Sequence, residues 1–172
     1  NHGLACGEDG ALYRSQDGGY TWAAISSGAT LTMYDLDFRD ATNGLMCGQV
    51  GKIYKSTDGG STWSAAVTGS VFAALQQVEN FSSDQAWAVG ASGTILHSGD
   101  GGSNWSAQTS GTSNWLYGVS FVSGQKGLAV GLSGTIVRTT DGGTSWNTVS
   151  SGITTTLYDV EWLNNDTAYA CG

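Results

Sequence analysis

No proline occurs anywhere in the 172 residues, so every tight turn has to be made by other residues. The 27 glycines, about twice ordinary usage, are there to make them. Basic residues are nearly as scarce. Arg14, Arg39, Lys52, Lys55, Lys126 and Arg138 are scattered along the chain against fourteen acids, for a net charge of −8. A nucleic-acid partner needs clustered cations to neutralise phosphates, and an anionic membrane surface needs the same, so both are excluded as partners. No apolar run reaches the roughly 18 residues of a membrane span, and the opening Asn1-His2-Gly3-Leu4 is not a signal peptide. Without an initiator methionine, the chain is expected to be a mature or trimmed product, or a piece of something longer. The two histidines, His2 and His97, form no pattern for a metal or a general base, and no cofactor is implied.

Charged residues make up only 12%, about half the usual share, so the polar surface must be built from Ser, Thr, Gly, Asn and Gln. Seven Trp, seven Tyr and four Phe supply enough apolar surface to exclude disorder. Three cysteines, Cys6, Cys47 and Cys171, stand at one repeat position that Val89 and Val130 fill in other copies. That interchange predicts small, buried, unpaired thiols, since a disulfide needs Cα atoms within about 7 Å.

What the chain does have is a repeat. Ser15-Gln-Asp17-Gly-Gly19-Tyr-Thr21-Trp22 returns as Ser56-Thr-Asp58-Gly-Gly60-Ser-Thr62-Trp63, Ser98-Gly-Asp100-Gly-Gly102-Ser-Asn104-Trp105 and Thr139-Thr-Asp141-Gly-Gly143-Thr-Ser145-Trp146. The tryptophans fall 41 or 42 residues apart, a period of propellers and solenoids. Within the period from Leu116 to Gly152, four short apolar or β-branched runs are separated by glycine turns: Leu116 to Val122, Gly127 to Gly131, Thr135 to Thr140 and Ser145 to Val149. Alternation in the first puts Tyr117, Val119 and Phe121 on one face. Four antiparallel strands in one period make a propeller blade, and the fold expected is an all-β propeller of about four blades. A β-solenoid is the weaker alternative, because its coils are usually shorter and parallel. No linker interrupts residues 1–172, which read as one domain.

The chain opens and closes on a second-type strand, giving five of these and four of every other type. Two expectations follow. Either the chain is a segment of a longer propeller, or a ring of four closes through a mixed blade and leaves Ala168 to Gly172 surplus. The segment reading is favoured. A free strand edge is a template for another chain, so head-to-tail self-association is also expected.

The Ser-x-Asp-x-Gly-x-Thr-Trp pattern resembles the Asp-box, or BNR repeat, in all four copies and so across the whole chain. Asn104 departs at the Thr position, and Thr139 replaces the Ser. The resemblance implies a peripheral hairpin between the third and fourth strands, away from any active site. The residues agree with that structural role. Aspartate can accept hydrogen bonds from backbone amides two residues on, Gly-Gly takes φ values others resist, the hydroxyls cross-link the arms, and the Trp buries its ring. A calcium loop would bring several carboxylates to one ion, whereas each hairpin has one, so no metal is expected. An exposed Trp stacking on sugars is the weaker reading of these rings.

Asp-box propellers include sialidases, xyloglucan-degrading glycoside hydrolases, sortilin-type receptors and photosystem II stability/assembly factors. The string from Gly127 to Trp146 looks most like the last group, and similar repeats occur in secreted bacterial proteins. A sialidase would need an arginine triad, and there are three arginines in all, with Arg14 and Arg138 expected to point outward. Resemblance to the assembly factors implies a chaperone-like scaffold with a basic patch, and the six cations here form no such patch. Other glycosidases use paired carboxylates about 5–10 Å apart. Asp35, Asp37, Glu79, Asp159 and Glu161 on the first strands offer such groups, although a row of polar groups solvated in a central channel explains them more simply. Tyr34, Asp35, Gln77, Tyr117, Tyr158 and Asp159 are the candidate binding residues.

Three Asn-x-Ser/Thr sequons start at Asn80, Asn104 and Asn165. Asn80 occupies a site that Phe38, Phe121 and Trp162 fill elsewhere, which suggests local exposure and a glycan in a eukaryotic source. Together these features predict a non-catalytic extracellular, periplasmic or lumenal scaffold. Its expected partner is a protein, a second copy of itself or a glycan. A glycoside hydrolase fragment and an assembly-factor-like chaperone are the alternatives.

Overall fold

The computed structural model describes residues 3–172, so His2 lies outside the described residues. The chain is all-β. Each four-stranded sheet runs outward from a first, inner strand, which the amino-terminal sheet lacks. β1 (Gly3–Cys6), β2 (Ala11–Ser15) and β3 (Ala23–Ser26) form a three-stranded sheet. Three four-stranded blades follow. The first is β4 (Met33–Phe38), β5 (Gly44–Gly48), β6 (Ile53–Ser56) and β7 (Ser64–Ala65). The second is β8 (Leu75–Glu79), β9 (Ala86–Gly90), β10 (Ile95–Ser98) and β11 (Ser106–Gln108). The third is β12 (Leu116–Ser123), β13 (Lys126–Gly131), β14 (Ile136–Thr139) and β15 (Asn147–Thr148). β16 (Asp159–Asn164) and β17 (Thr167–Cys171) make a final two-stranded sheet. β16 pairs with β17 and β1 with β2, and no ladder joins β16 to β1 among the described residues. The mixed blade that would close a ring of four is therefore not formed.

Each sheet packs face to face on the next. Leu45, Cys47 and Ile53 of one blade bury against Leu75, Val78 and Trp105 of its successor. Trp87, Val89 and Ile95 bury in turn against Leu116, Val119, Phe121 and Trp146. Trp87 stacks on Phe121 with ring centroids 3.6 Å apart and planes at 13°. The Phe121 ring also covers Gly127, where a Cβ would sit 2.5 Å from it. Phe38 covers Gly44 in the same way, whereas the middle blade has Asn80 and Ala86 at the corresponding repeat positions and needs no such gap.

Asn80 is therefore a core position: it is 3% exposed, and its Nδ2 donates to the Asn43 carbonyl at 3.1 Å. The expected exposure there does not hold, and a glycan would have to displace this contact. The thiols also divide. Cys47 is buried, Cys6 half-buried and Cys171 exposed, and all three are unpaired. Burial pushes the Cys6 thiol up to about 11 and the Cys47 thiol higher than its ordinary value. The buried-thiol expectation fails for Cys171 because no sheet covers it among the described residues.

Strict alternation fails at the start of each inner strand. The β4–β5, β8–β9 and β12–β13 ladders slip at the second residue, leaving Tyr34, Gln76 and Tyr117 as bulges. Beyond the bulge, Val119 and Phe121 pack back onto the preceding blade, while Tyr117 turns forward and meets Tyr158 in a tilted ring contact. The single face expected for all three is thus corrected.

Candidate functional site: the inner strands and the bulge-bearing face

An innermost strand pairs on one edge only, which leaves a column of amides facing the axis without a ladder partner. In this chain the preceding blade supplies acceptors for them. Asp35 Oδ2 accepts from the Val78 amide at 2.9 Å, and Asp37 Oδ2 from the Asn80 amide at 2.7 Å. One blade further on, Gln77 Oε1 accepts from the Val119 amide, and Glu79 Oε1 accepts from the Phe121 amide at 3.0 Å. In the next step Ser120 Oγ takes the Trp162 amide at 3.4 Å. Counted from Met33, Leu75, Leu116 and Leu157, the third and fifth residues of one repeat thus serve the fourth and sixth of the next. Gly118 has no side chain for its turn in this series, and Asp159 Oδ1 accepts from the Val160 amide at 2.9 Å instead.

Asp35, Asp37, Gln77, Glu79 and Glu161 line an axial cavity of about 240 Å³. Burial raises the Asp35 carboxyl above its ordinary value against the hydrogen bond from Val78, with Asp37 and Asp159 adding to the rise. Burial likewise pushes Glu79 up to about 8, helped by the charges of Asp37 and Glu161. Glu79 Oε2 is buried with no hydrogen-bond partner among the described residues. Asp35, Asp37, Gln77 and Glu79 are fasteners between blades as well as half-buried groups lining the channel. Among the described residues no group of three or more His, Cys, Asp or Glu is arranged to hold a metal ion.

At the end of the sheets where the bulges lie, side chains are aromatic. Trp115, Tyr117 and Tyr158 form a row, with centroids 6.1 Å apart for the first pair and 5.4 Å for the second. Tyr158 is 61% exposed, and Asp159 beside it lies within 3.5 Å of Gln77 Nε2. The structure therefore joins Gln77, Tyr117, Tyr158 and Asp159 into one neighbourhood. Asp35 lies in the axial cavity next to it. Tyr34 is exposed on the same end and packs on no other ring among the described residues. Trp115 and Ser120 escape sequence reasoning. Trp115 precedes its strand, and Ser120 offers only a hydroxyl in a chain full of them.

The four Asp-boxes lie at the opposite end of the third strands. In the second copy, Ser56 Oγ accepts from the Gly60 amide at 2.8 Å and donates to Asp58 Oδ1 at 2.9 Å. Gly60 sits at φ +78°, where a side chain would be strained. Asp58 accepts from the Thr62 amide at 2.9 Å and the Thr62 hydroxyl at 2.6 Å, four residues on, and Trp63 Nε1 donates to the Gly60 carbonyl at 3.2 Å. Ser15, Asp17, Gly19, Thr21 and Trp22 repeat the pattern. Ser98, Asp100, Gly102 and Trp105 do so too, with Asn104 Nδ2 on Asp100 Oδ2 at 2.6 Å in place of the threonine. That bond occupies the amide of the Asn104 sequon. In the last copy Thr139, Asp141 and Gly143 keep the bonds, and Trp146 Nε1 turns to Gln108 Oε1 at 3.0 Å.

Burial of the tryptophan holds for Trp105 and Trp146 but not for Trp22. Trp22 is 46% exposed because no sheet packs outside it among the described residues. Asn165, in the β16–β17 turn, is exposed. Of the two arginines expected to point outward, Arg138 is exposed, and Arg14 is half-buried and bonds the Gly59 carbonyl and Ser61 Oγ of the next Asp-box, as Lys55 bonds Ser103 Oγ at 3.0 Å.

Radially stacked antiparallel sheets, each fastened by an Asp-box hairpin, define an Asp-box β-propeller. Two family profiles agree. BNR/Asp-box repeat matches residues 13–24, and Photosynthesis system II assembly factor YCF48 matches residues 22–113, more than half of the chain. The chain belongs to the photosynthesis system II assembly factor YCF48 family.

Similar solved structures include YCF48 from Cyanidioschyzon merolae (14% identity, TM-score 0.73, 97% of this chain and 62% of that one). YCF48 bound to D1 peptide is also similar (20% identity, TM-score 0.72, 94% and 54%). The GH74 xyloglucanase from Xanthomonas campestris matches at 17% identity and TM-score 0.66, over 99% of this chain and 26% of that one. The chain thus spans about three fifths or less of the proteins it matches. No curated protein matches it by sequence.

Proposed function

We propose that this chain is a non-catalytic propeller scaffold that binds a segment of a protein partner on its bulge-bearing, aromatic end. The observation that carries the reading is the use made of the inner-strand acceptors. Asp35, Asp37, Gln77 and Glu79, the groups a hydrolase would turn on a substrate, each hold an amide of the following blade. Family membership and the likeness to YCF48 bound to D1 peptide support a protein partner and a role in assembly. A lumenal or extracellular setting is part of this reading; no helix among the described residues is long and apolar enough to cross a membrane.

A selection from a displayed random dodecapeptide library tests the proposal. It predicts binders whose affinity falls at least tenfold against Tyr117→Ala and Tyr158→Ala. A competing hydrolase reading draws on the raised Glu79 carboxyl, which could donate a proton, and on the fold shared with GH74 enzymes. Release of reducing ends from xyloglucan by the wild type and not by Glu79→Gln would establish that reading and overturn the scaffold. Self-association through strand edges and glycan binding rest on less: β17 pairs on one edge only among the described residues.

A further inference from the structure

The connections entering the inner strands and the turns joining second to third strands gather at one end of every sheet. Gly51 N bonds the Ala73 carbonyl at 2.8 Å, and Leu132 N bonds the Trp115 carbonyl at 2.9 Å, which ties these loops into one surface. Large apolar side chains stand exposed on it: Tyr34, Val50, Trp115, Leu132 and Tyr158, with Phe72 at 74%. Repeated exposed apolar groups on one end of a molecule mark an interaction surface.

Charge decides what fits there. Five of the six cations sit toward the other end, and several are occupied. Arg14 and Lys55 staple Asp-boxes, Arg39 Nε lies 3.3 Å from Asp40, and Lys126 Nζ lies 4.9 Å above the Trp162 ring. Only Lys52 belongs to the aromatic end, which also carries Glu8 and Asp9 in the β1–β2 turn, with Asp35 and Asp159 at the cavity mouth. Tyr117 and Tyr158 present rings tilted at 49° to one another, with no cation over them among the described residues. Asp159 follows Tyr158 directly, and its Oδ2 takes no hydrogen bond among the described residues. A ring face beside a carboxylate is the arrangement that holds a guanidinium or ammonium group, by cation–π attraction and a charge-assisted hydrogen bond together.

We propose that the partner segment carries an arginine or lysine whose cationic group lies against the Tyr117 and Tyr158 rings and the Asp159 carboxylate. This rests on the scaffold reading and narrows it to a basic segment, docked at the aromatic end and flanked by apolar residues that meet Trp115 and Leu132.

The test uses dodecapeptides selected from the displayed library on the wild-type chain, synthesised with a fluorescent label and measured by anisotropy. The proposal expects a cationic residue at a fixed position in the selected set. It also expects at least tenfold weaker binding when citrulline replaces arginine there, and a similar loss against Asp159→Asn. Asp159 is exposed, so a thermal melt of the variant should match the wild type. Binders that depend on Tyr117 and Tyr158 but lose nothing to citrulline or to Asp159→Asn overturn the cationic inference and leave the scaffold reading standing. A selection that yields no binder dependent on those tyrosines overturns both.

Discussion

Ser56, Ser98 and Thr139 show what a single hydroxyl does in this fold. Each is almost fully buried, and each accepts the amide of the second glycine at 2.8 Å while donating to the aspartate two residues on. Removing the hydroxyl strands a buried amide, which costs about 1–3 kcal/mol. Ser56→Ala is therefore expected to lower unfolding free energy in urea by about that amount, and Ser56→Thr to keep most of it, since Thr139 serves the same role. Equal losses for the two variants would contradict the account. These residues were legible in the sequence because they recur at a fixed period. The bonding was only partly legible: the aspartate accepts from amides three and four residues on, not two. That displacement follows from the two left-handed glycines, which curl the hairpin back over the carboxylate.

Strands and their order could be read from glycine spacing and β-branched runs, and the runs Leu116 to Val122 and Gly127 to Gly131 fall within a residue of β12 and β13. What the inner strands do could not. The partner of Asp35 or Glu79 is a backbone amide 42 or 43 residues on, and an amide leaves no mark in a sequence. Bulges at Tyr34 and Tyr117 were hidden for a similar reason: an extra residue in one strand shows only against its partner.

The capping role has a pH signature. Glu79, held near 8 when folded against an ordinary 4.5, keeps its proton longer in the folded chain than in the unfolded one. Stability on its account is greatest below about pH 4.5 and falls as pH rises toward 8. Glu79→Gln should thus raise the urea midpoint at pH 8 relative to the wild type and leave it nearly unchanged at pH 4.5. An equal shift at both pH values would mean that the carboxyl is not the buried group described. Asp17, Asp58 and Asp141 work the other way. Their hydrogen bonds lower them to about 2, so their contribution is present above their ordinary 3.8 and is lost as pH falls toward 2.

Over the whole molecule, the two ends of the sheets have divided their tasks. The Asp-box end carries most of the cations and spends them on stapling one blade to the next, with Arg14 and Lys55 each reaching into the following hairpin. The bulge-bearing end carries exposed rings and acids with little cation to answer them. Net charge alone argued against nucleic acid as a partner but could not say where the acids lie. That came from the bulges and the capping ladder, which fix Tyr117, Tyr158 and Asp159 around one mouth. The most direct test of this division is a two-dimensional amide NMR titration of the chain with a selected arginine-bearing dodecapeptide. The account predicts shifts concentrated at Tyr34, Trp115, Tyr117, Tyr158 and Asp159, with the amides of Gly60, Gly102 and Gly143 unmoved. Shifts concentrated at those Asp-box glycines, with the tyrosines silent, would contradict it.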